Sequence, residues 1–297
     1  MTTADAADGP TPLSTPISAG IVASLVGFTS SFAVVLTGLR AVGASPTEAA
    51  SGLLALCVTQ AVGMMWLARR YRQPITLAWS TPGAALLAGT GVVVGGWPAA
   101  VGAFVTVGVL ILLTGLWPRL GALVSRIPVP LAQAMLAGVL LPLCAAPVVA
   151  FADSPAQVAP VVLVWLVVLR FNARWAVPAA FAAAAAVIAA DLIGGDTPIA
   201  ASDLIPRIDW TVPHWSWQAT VGIAVPLYIV TMASQNIPGT TVMASFGFRI
   251  PWRASMTVTG TGTVLGAFAG GHTINLAAIS AALSANPSAH PDPKRRW

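Results

Sequence analysis

The side chains able to do chemistry here are few, and they fall in short clusters between long apolar runs. The first cluster is Gly270-Gly271-His272-Thr273-Ile274-Asn275. His272 can hydrogen-bond a carboxylate or carry a proton, because imidazole titrates near physiological pH. Its plainer role is to bond a backbone carbonyl. Thr273 and Asn275 read as the start of a helix, where such residues cap it, contact a ligand, or both. The second cluster is Ser80-Thr81-Pro82-Gly83-Ala84. Ser80, Thr81 and Gly83 open a helix whose first amides can meet an anion, with the hydroxyls as the plainer caps. The third is Ser234-Gln235-Asn236-Ile237-Pro238-Gly239, in a span otherwise apolar and broken by Pro238-Gly239. Gln235 and Asn236 are costly against lipid, so they face protein or a cavity, bonding a neighbouring helix or a substrate. Gly27-Phe28-Thr29-Ser30-Ser31 forms a polar notch in the first apolar run. Phe28 or Phe32 there can stack on an aromatic ring, although a packed or lipid-facing Phe is commoner. No Ser/His/Asp set, His-rich metal cluster or carboxylate pair lies within the apolar runs. An enzyme, a metal or a cofactor is therefore not expected.

Those clusters need elements to hold them. Of 297 residues, 57% are hydrophobic and 8% are charged. Soluble domains carry about 25% charge. That composition excludes a soluble globule and a disordered chain, and two cysteines exclude a disulfide scaffold. An integral membrane protein remains, with Cys57 and Cys144 as packing residues in apolar spans. A spanning helix needs roughly 20 apolar residues. Charge-free runs cut at Gly/Pro clusters give about ten spans, near 17–40, 47–68, 78–95, 98–117, 128–150, 155–170, 175–194, 216–238, 252–269 and 272–286. With the N-terminus inside, twelve of the fourteen Lys and Arg residues fall inside, leaving only Arg40 and Arg207 outside. Positive loops stay cytoplasmic, so the alternation supports both the direction and the span count. The cations are then orientation signals beside an anionic leaflet, and nucleic acid is not a partner. The first 16 residues lack the basic region of a cleaved signal peptide. Ser45-Pro46-Thr47-Glu48 reads as a capping box, and Trp210, Trp215 and Trp217 as an interfacial belt. His214 and His290 read as solvated loop residues, and the Ala-rich run 176–190 as close helix packing.

Two spans are not continuous. Pro82 disfavours a helical residue before it, so residues 75–80 read as extended and Pro82 as the first turn of a new helix. Gly270-Gly271 breaks the second. The segments lie on one another in pattern, Ser80–Leu86 on His272–Ala278 with Thr81 on Thr273. Gly38-Leu39-Arg40 before Pro46 likewise matches Gly247-Phe248-Arg249 before Pro251. One unit starts inside and the other outside, which is the sequence pattern of an inverted repeat around a transporter site. Extended backbone in a bilayer costs several kcal/mol per unpaired group unless protein or a wet cavity satisfies it. Two half-helices starting near the midplane favour an anion without Lys or Arg, and neither segment contains one.

Ser80-Thr81-Pro82-Gly83-Ala84, Ser234–Gly239, Gly270–Asn275 and the tail His290-Pro291-Asp292-Pro293 together resemble the benzoate:proton symporter family, along the chain from about residue 15. That family is similar to the uracil/nucleobase and sulfate transporters. The resemblance implies an all-α membrane protein with two inverted seven-helix repeats and short strands in the third and tenth spans. A core domain would move against a gate domain, with substrate between the broken helices. It implies residues 1–16 as a cytoplasmic polar tail, 17–117 and 216–287 as core, 118–195 as gate, 196–215 as an extracellular loop and 288–297 as a cytoplasmic basic tail. The family pattern continues about four spans past Trp297, so a shortened, non-transporting membrane fragment is one reading. The leading expectation is proton symport of benzoate or a related aromatic carboxylate across a bacterial inner membrane. Ser80, Thr81, Gly83, Gln235, Asn236, His272, Thr273, Asn275 and Phe28 would bind it, with His272 or the substrate taking the proton. Neutral Gln235 and Asn275 stand where related nucleobase carriers have acids, which suits a substrate bearing its own charge. A nucleobase or inorganic anion is the alternative cargo, and a second copy in a homodimer a candidate partner.

Overall fold

The computed structural model describes residues 14–124, 129–193, 205, 207–287 and 289–297. Residues 1–13 of the expected tail, and 196–204 and 206 of the expected loop, lie outside these residues. α1 (Ser14–Ala41) and α2 (Pro46–Tyr71) lead to β1 (Leu77–Trp79) and α3 (Thr81–Thr90). α4 (Gly96–Leu116), a short α5 (Pro118–Val124), α6 (Val129–Asp153), α7 (Pro155–Phe171) and α8 (Ala173–Ile193) follow. α9 (Trp217–Ser245) is a long helix with two π-turns. α10 (Trp252–Ala267), β2 (Ile274–Leu276) and α11 (Ala278–Ser284) end the core, before a 3₁₀ turn at Pro293–Arg295.

The described residues form an all-α membrane protein apart from one two-stranded ribbon. Among the described residues four helical stretches, Ala23–Ala41, Pro46–Tyr71, Gly96–Leu116 and Trp217–Ser245, are long and apolar enough to cross a membrane. Shorter apolar helices cover Cys144–Asp153, Pro155–Phe171 and Trp175–Asp191. α7 buries no residue and exposes Leu163 and Val167, as a helix facing acyl chains would. Trp210, Trp215 and Trp217 are likewise exposed. Cys144 is exposed too, not packed within the chain as expected; Cys57 is half-buried.

Local chemistry sets the helix boundaries. Ser45 and Glu48 form the reciprocal capping box, with Pro46 at the first turn of α2. α2 ends at Arg72 in the left-handed conformation, φ 51°. The expected notch in α1 does not interrupt the helix. Ser30 and Ser31 hydroxyls bond Gly27 O, and Thr29 bonds Leu25 O, so each is satisfied within its own helix.

β1 and β2 pair antiparallel, with Leu77 opposite Leu276, Ala78 opposite Asn275 and Trp79 opposite Ile274. Beyond the strands, Ser80 N–H donates to Thr273 O at 3.1 Å and Ala277 N–H to Thr76 O at 3.0 Å. These bonds exchange under a two-fold axis through the Ala78–Asn275 pair. The helices packed on the ribbon follow it. A Cβ on Gly63 of α2 would stand 2.7 Å from Val258 Cγ1 and 2.9 Å from Leu77 Cδ1. One on Gly262 of α10 would stand 2.7 Å from Ile274 Cδ1 and 3.6 Å from Thr59 Cβ. The local axis therefore equates Ser80 with Ala277. That corrects the sequence match of Thr81 with Thr273, because strand register, set by tertiary pairing, decides where each half-helix begins.

Candidate substrate site

The first broken segment behaves as Pro82 dictates. Chain 77–79 is extended, and Ser80, at φ −77° and ψ 92°, caps α3 by accepting from Gly83 N–H at 3.1 Å. Thr231 of α9 donates its hydroxyl to Ser80 Oγ at 3.0 Å. Ser80 is thus buried, bonded and fixed from two helices. The Gly83 amide, expected to be free for a ligand, is used by the cap. Its missing Cβ leaves room for Leu227. Thr81 is half-buried at the start of α3.

The second segment departs from expectation. Thr273 and Asn275 do not start a half-helix. Ribbon pairing carries the extended chain on to Leu276, and α11 opens only at Ala278 after Ala277, without a side-chain cap. Asn275 therefore sits in a strand, fully buried. Its Nδ2 bonds Leu276 O at 2.8 Å while its Oδ1 has no partner. Thr273, also buried, lies 3.4 Å from the Thr263 hydroxyl, which accepts Ile274 N–H at 3.1 Å. His272 is fully buried against the ring of Phe104. Its Nδ1 accepts Thr273 N–H at 2.7 Å, and Nε2 has no partner. With Nδ1 an acceptor, the neutral ring, which lies beside the Ser80 backbone, carries its proton on Nε2 without a hydrogen bond of ordinary geometry.

α9 supplies the third wall. The expected break at Pro238-Gly239 is absent: the helix runs through to Ser245. A π-turn at Met232–Asn236 precedes the proline, and Ile237 N–H reaches back five residues to Met232 O. The extra residue in that turn absorbs the local misfit that a proline imposes. It also aims Asn236 at the ribbon, where Oδ1 accepts Leu276 N–H at 2.9 Å. Gln235 is only half-buried. Neighbouring carboxamides are thus split: one is fully buried and ties α9 to β2, the other is only partly buried.

Beside β1 stands an aromatic group. Phe28 and Phe32 stack at 5.3 Å and 3°, and Phe28 meets Trp79 edge-on at 5.9 Å. Trp79 Nε1 donates to Ser31 Oγ at 3.0 Å. Phe32 contacts Phe181 of α8 at 5.4 Å. Phe28 remains 36% exposed. Ser80, Thr81, Gly83, Asn236, His272, Thr273 and Asn275 are thus joined by the ribbon and its flanks, Gln235 adjoins them in α9, and Phe28 joins through Trp79. Sequence reasoning passed over Thr231 and Thr263. The signal for Thr263 was present, as hydroxyls recur at 257, 259, 261 and 263 in an apolar helix. The described cavity lined by Trp66, Tyr71, Trp252 and Arg253 lies between the end of α2 and the start of α10, and shares no lining residue with this group.

Short paired strands leading into helices, with buried polar atoms beside them, are the arrangement that membrane transport proteins build from broken helices. The sequence profile of the benzoate membrane transport proteins matches residues 10–297, and the chain belongs to that family. It is 34% identical over 282 residues to "Inner membrane protein YdcO" of Escherichia coli, covering 94% of this chain and 71% of that one. It is 28% identical over 284 residues to the "Benzoate membrane transport protein" of Acinetobacter baylyi, covering 94% and 70%. No solved structure matches it. The family and the Acinetobacter relative are membrane transport proteins, not enzymes.

Proposed function

We propose that the protein carries benzoate or a related aromatic carboxylate across a bacterial inner membrane together with a proton. The supporting observation is the pair of fully buried, unpartnered polar atoms, His272 Nε2 and Asn275 Oδ1, on the segment paired to the start of α3. Buried polar atoms are nearly always bonded, so orphans point to an absent ligand. His272 Nε2–H donates to the carboxyl group, Thr81, Thr273 and Gln235 line its approach, and Ser80, Gly83 and Asn236 hold the frame. The phenyl ring joins the Phe28–Phe32–Trp79 group, where an edge or offset stack adds about 0.5–1.5 kcal/mol. The names of the family and of the Acinetobacter relative support this cargo.

In this reading the chain makes about ten crossings with its N-terminus inside. The ribbon axis belongs to an inverted repeat, and 17–117 with 216–287 moves as a core against gate helices 118–195. The carrier works as a monomer or within a homodimer. An inner-negative potential opposes anion entry by about 2.3 kcal/mol per charge per 100 mV, which one proton per benzoate removes. Taking that proton on His272 means surrendering the bond from Thr273 N–H. Protonation therefore remodels the turn that carries the site.

The test is uptake of labelled benzoate into vesicles of both orientations, with and without an inward proton gradient. Stimulated uptake that unlabelled benzoate abolishes, and uracil and sulfate do not, supports the reading. Transport of either competitor without benzoate transport overturns the cargo. His272→Gln can still accept from Thr273 N–H but cannot titrate. Its uptake is expected to ignore the pH gradient; a retained response would move the proton onto the substrate.

A further inference from the structure

The sequence places Arg296 in a cytoplasmic basic tail, where a cation beside the inner leaflet is expected. It is instead only 9% exposed. Its guanidinium donates to three backbone carbonyls: Nε to His290 O at 2.6 Å, Nη1 to Ala285 O at 2.7 Å and Nη2 to Pro291 O at 3.0 Å. Ala285 is the residue that ends α11. His290, expected to be solvated, is 3% exposed, and its Nδ1 accepts Asp292 N–H at 3.0 Å. Asp292 in turn caps the 3₁₀ turn Pro293–Arg295, accepting from Lys294 N–H at 2.8 Å, and that turn delivers Arg296 to its partners. Next to it Ser284 donates to Pro74 O at 3.3 Å, on the approach to β1, and Trp297 lies over Arg72 at the end of α2.

A cation at a helix C-terminus satisfies the last carbonyls and opposes the negative end of the dipole. α11 is seven residues long, too short to be stable by itself, and lacks a side-chain cap at its start. Its order must come from outside. We infer that Arg296 is a positioning residue: it pins the far end of α11, so that the half-helix and the turn before it present one geometry to substrate. It touches no substrate itself. The functional half of this inference rests on the benzoate-carrier reading; the structural half does not. Arg295 is its natural control, since its side chain is 55% exposed and makes only a 3.9 Å ion pair with Asp292.

The experiment measures two quantities on membrane-reconstituted protein: amide hydrogen exchange across 278–287, and benzoate uptake KM and Vmax per folded carrier. Arg296→Gln is expected to speed exchange in that peptide and leave α4 unchanged. It should raise KM on the order of tenfold, with Vmax held within about twofold, as loss of charged hydrogen bonds from a pre-ordered element does. Arg295→Gln should match wild type in both. Should Arg296→Gln not yield folded protein, Arg296→Lys, which keeps the charge but not the three-way fork, is expected to lie between. Unchanged exchange in 278–287 for Gln or Lys overturns the clamp. Faster exchange with unchanged KM overturns its bearing on the site. Wild-type protein that takes up no benzoate sinks the carrier reading while the exchange result still judges the clamp.

Discussion

Asn236 and Gln235 are one bond apart in sequence and do different work. Asn236 is fully buried and supplies the acceptor for Leu276 N–H, a ribbon-edge amide with no water to replace it. Asn236→Ala strands that donor, at a cost of about 1–3 kcal/mol. The expected result is a lowered thermal midpoint of the detergent-solubilised protein, while Asn236→Asp, which keeps an acceptor, loses less. Gln235 is half-buried, and Gln235→Ala should stay within about 0.5 kcal/mol of wild type. Any defect it shows should therefore appear in benzoate competition and not in melting. If the two alanine variants melt alike, the division of labour drawn from the π-turn is wrong. Sequence alone marked both amides as out of place in lipid. It could not rank them, because the π-turn that rotates Asn236 onto β2 is a response to packing as well as to Pro238.

At the scale of elements, legibility followed how local the cause was. Pro82 disfavours helix before it and suits the first turn of a helix, so α3 and its Ser80 cap could be read from seven residues. The capping box of α2 is equally local. α11 has no such marker. Its start at Ala278 is fixed by a partner strand almost 200 residues away, which is why Thr273 and Asn275 read as helix openers and fold as ribbon. Close crossings were invisible for the same reason. Gly52 of α2 faces the Gly270 carbonyl so closely that an added Cβ would collide with backbone, whereas at Gly63 it would meet the movable ends of Val258 and Leu77. Gly52→Ala is thus expected to destabilise by about 1–3 kcal/mol and Gly63→Ala by less. Thermal melts of the two variants check the order; the reverse order would mean that α2 does not sit against the 268–271 turn as described.

The whole molecule raises the question of which parts move. The ribbon, α2, α4 and α10 interlock through glycine-backed crossings and share one buried core, so they can travel only together. α1 joins that body through Val35 and Leu39, and α8 meets α1 through side chains, with Phe181 edge-on to Phe32 at 5.4 Å between ring centres. If residues 118–195 form the fixed gate, this contact must slide or part in every transport cycle, whereas in a rigid channel-like assembly it would persist. A reducible cross-link distinguishes the two. In a background of Cys57→Ser and Cys144→Ser, the pair Phe32→Cys with Phe181→Cys is expected to be bridged by a short bis-methanethiosulfonate reagent, which spans the space the two facing rings leave. Cross-linked vesicles should lose benzoate uptake by about tenfold or more, as a blocked conformational step removes turnover altogether. Uptake should return on reduction. Benzoate binding to the locked protein should match that of the same double-cysteine protein after reduction, because the cross-link leaves the ribbon and the Ser80 cap intact. Full uptake by protein shown to be cross-linked would mean that α1 and α8 move as one, and the boundary between core and gate would have to be drawn elsewhere.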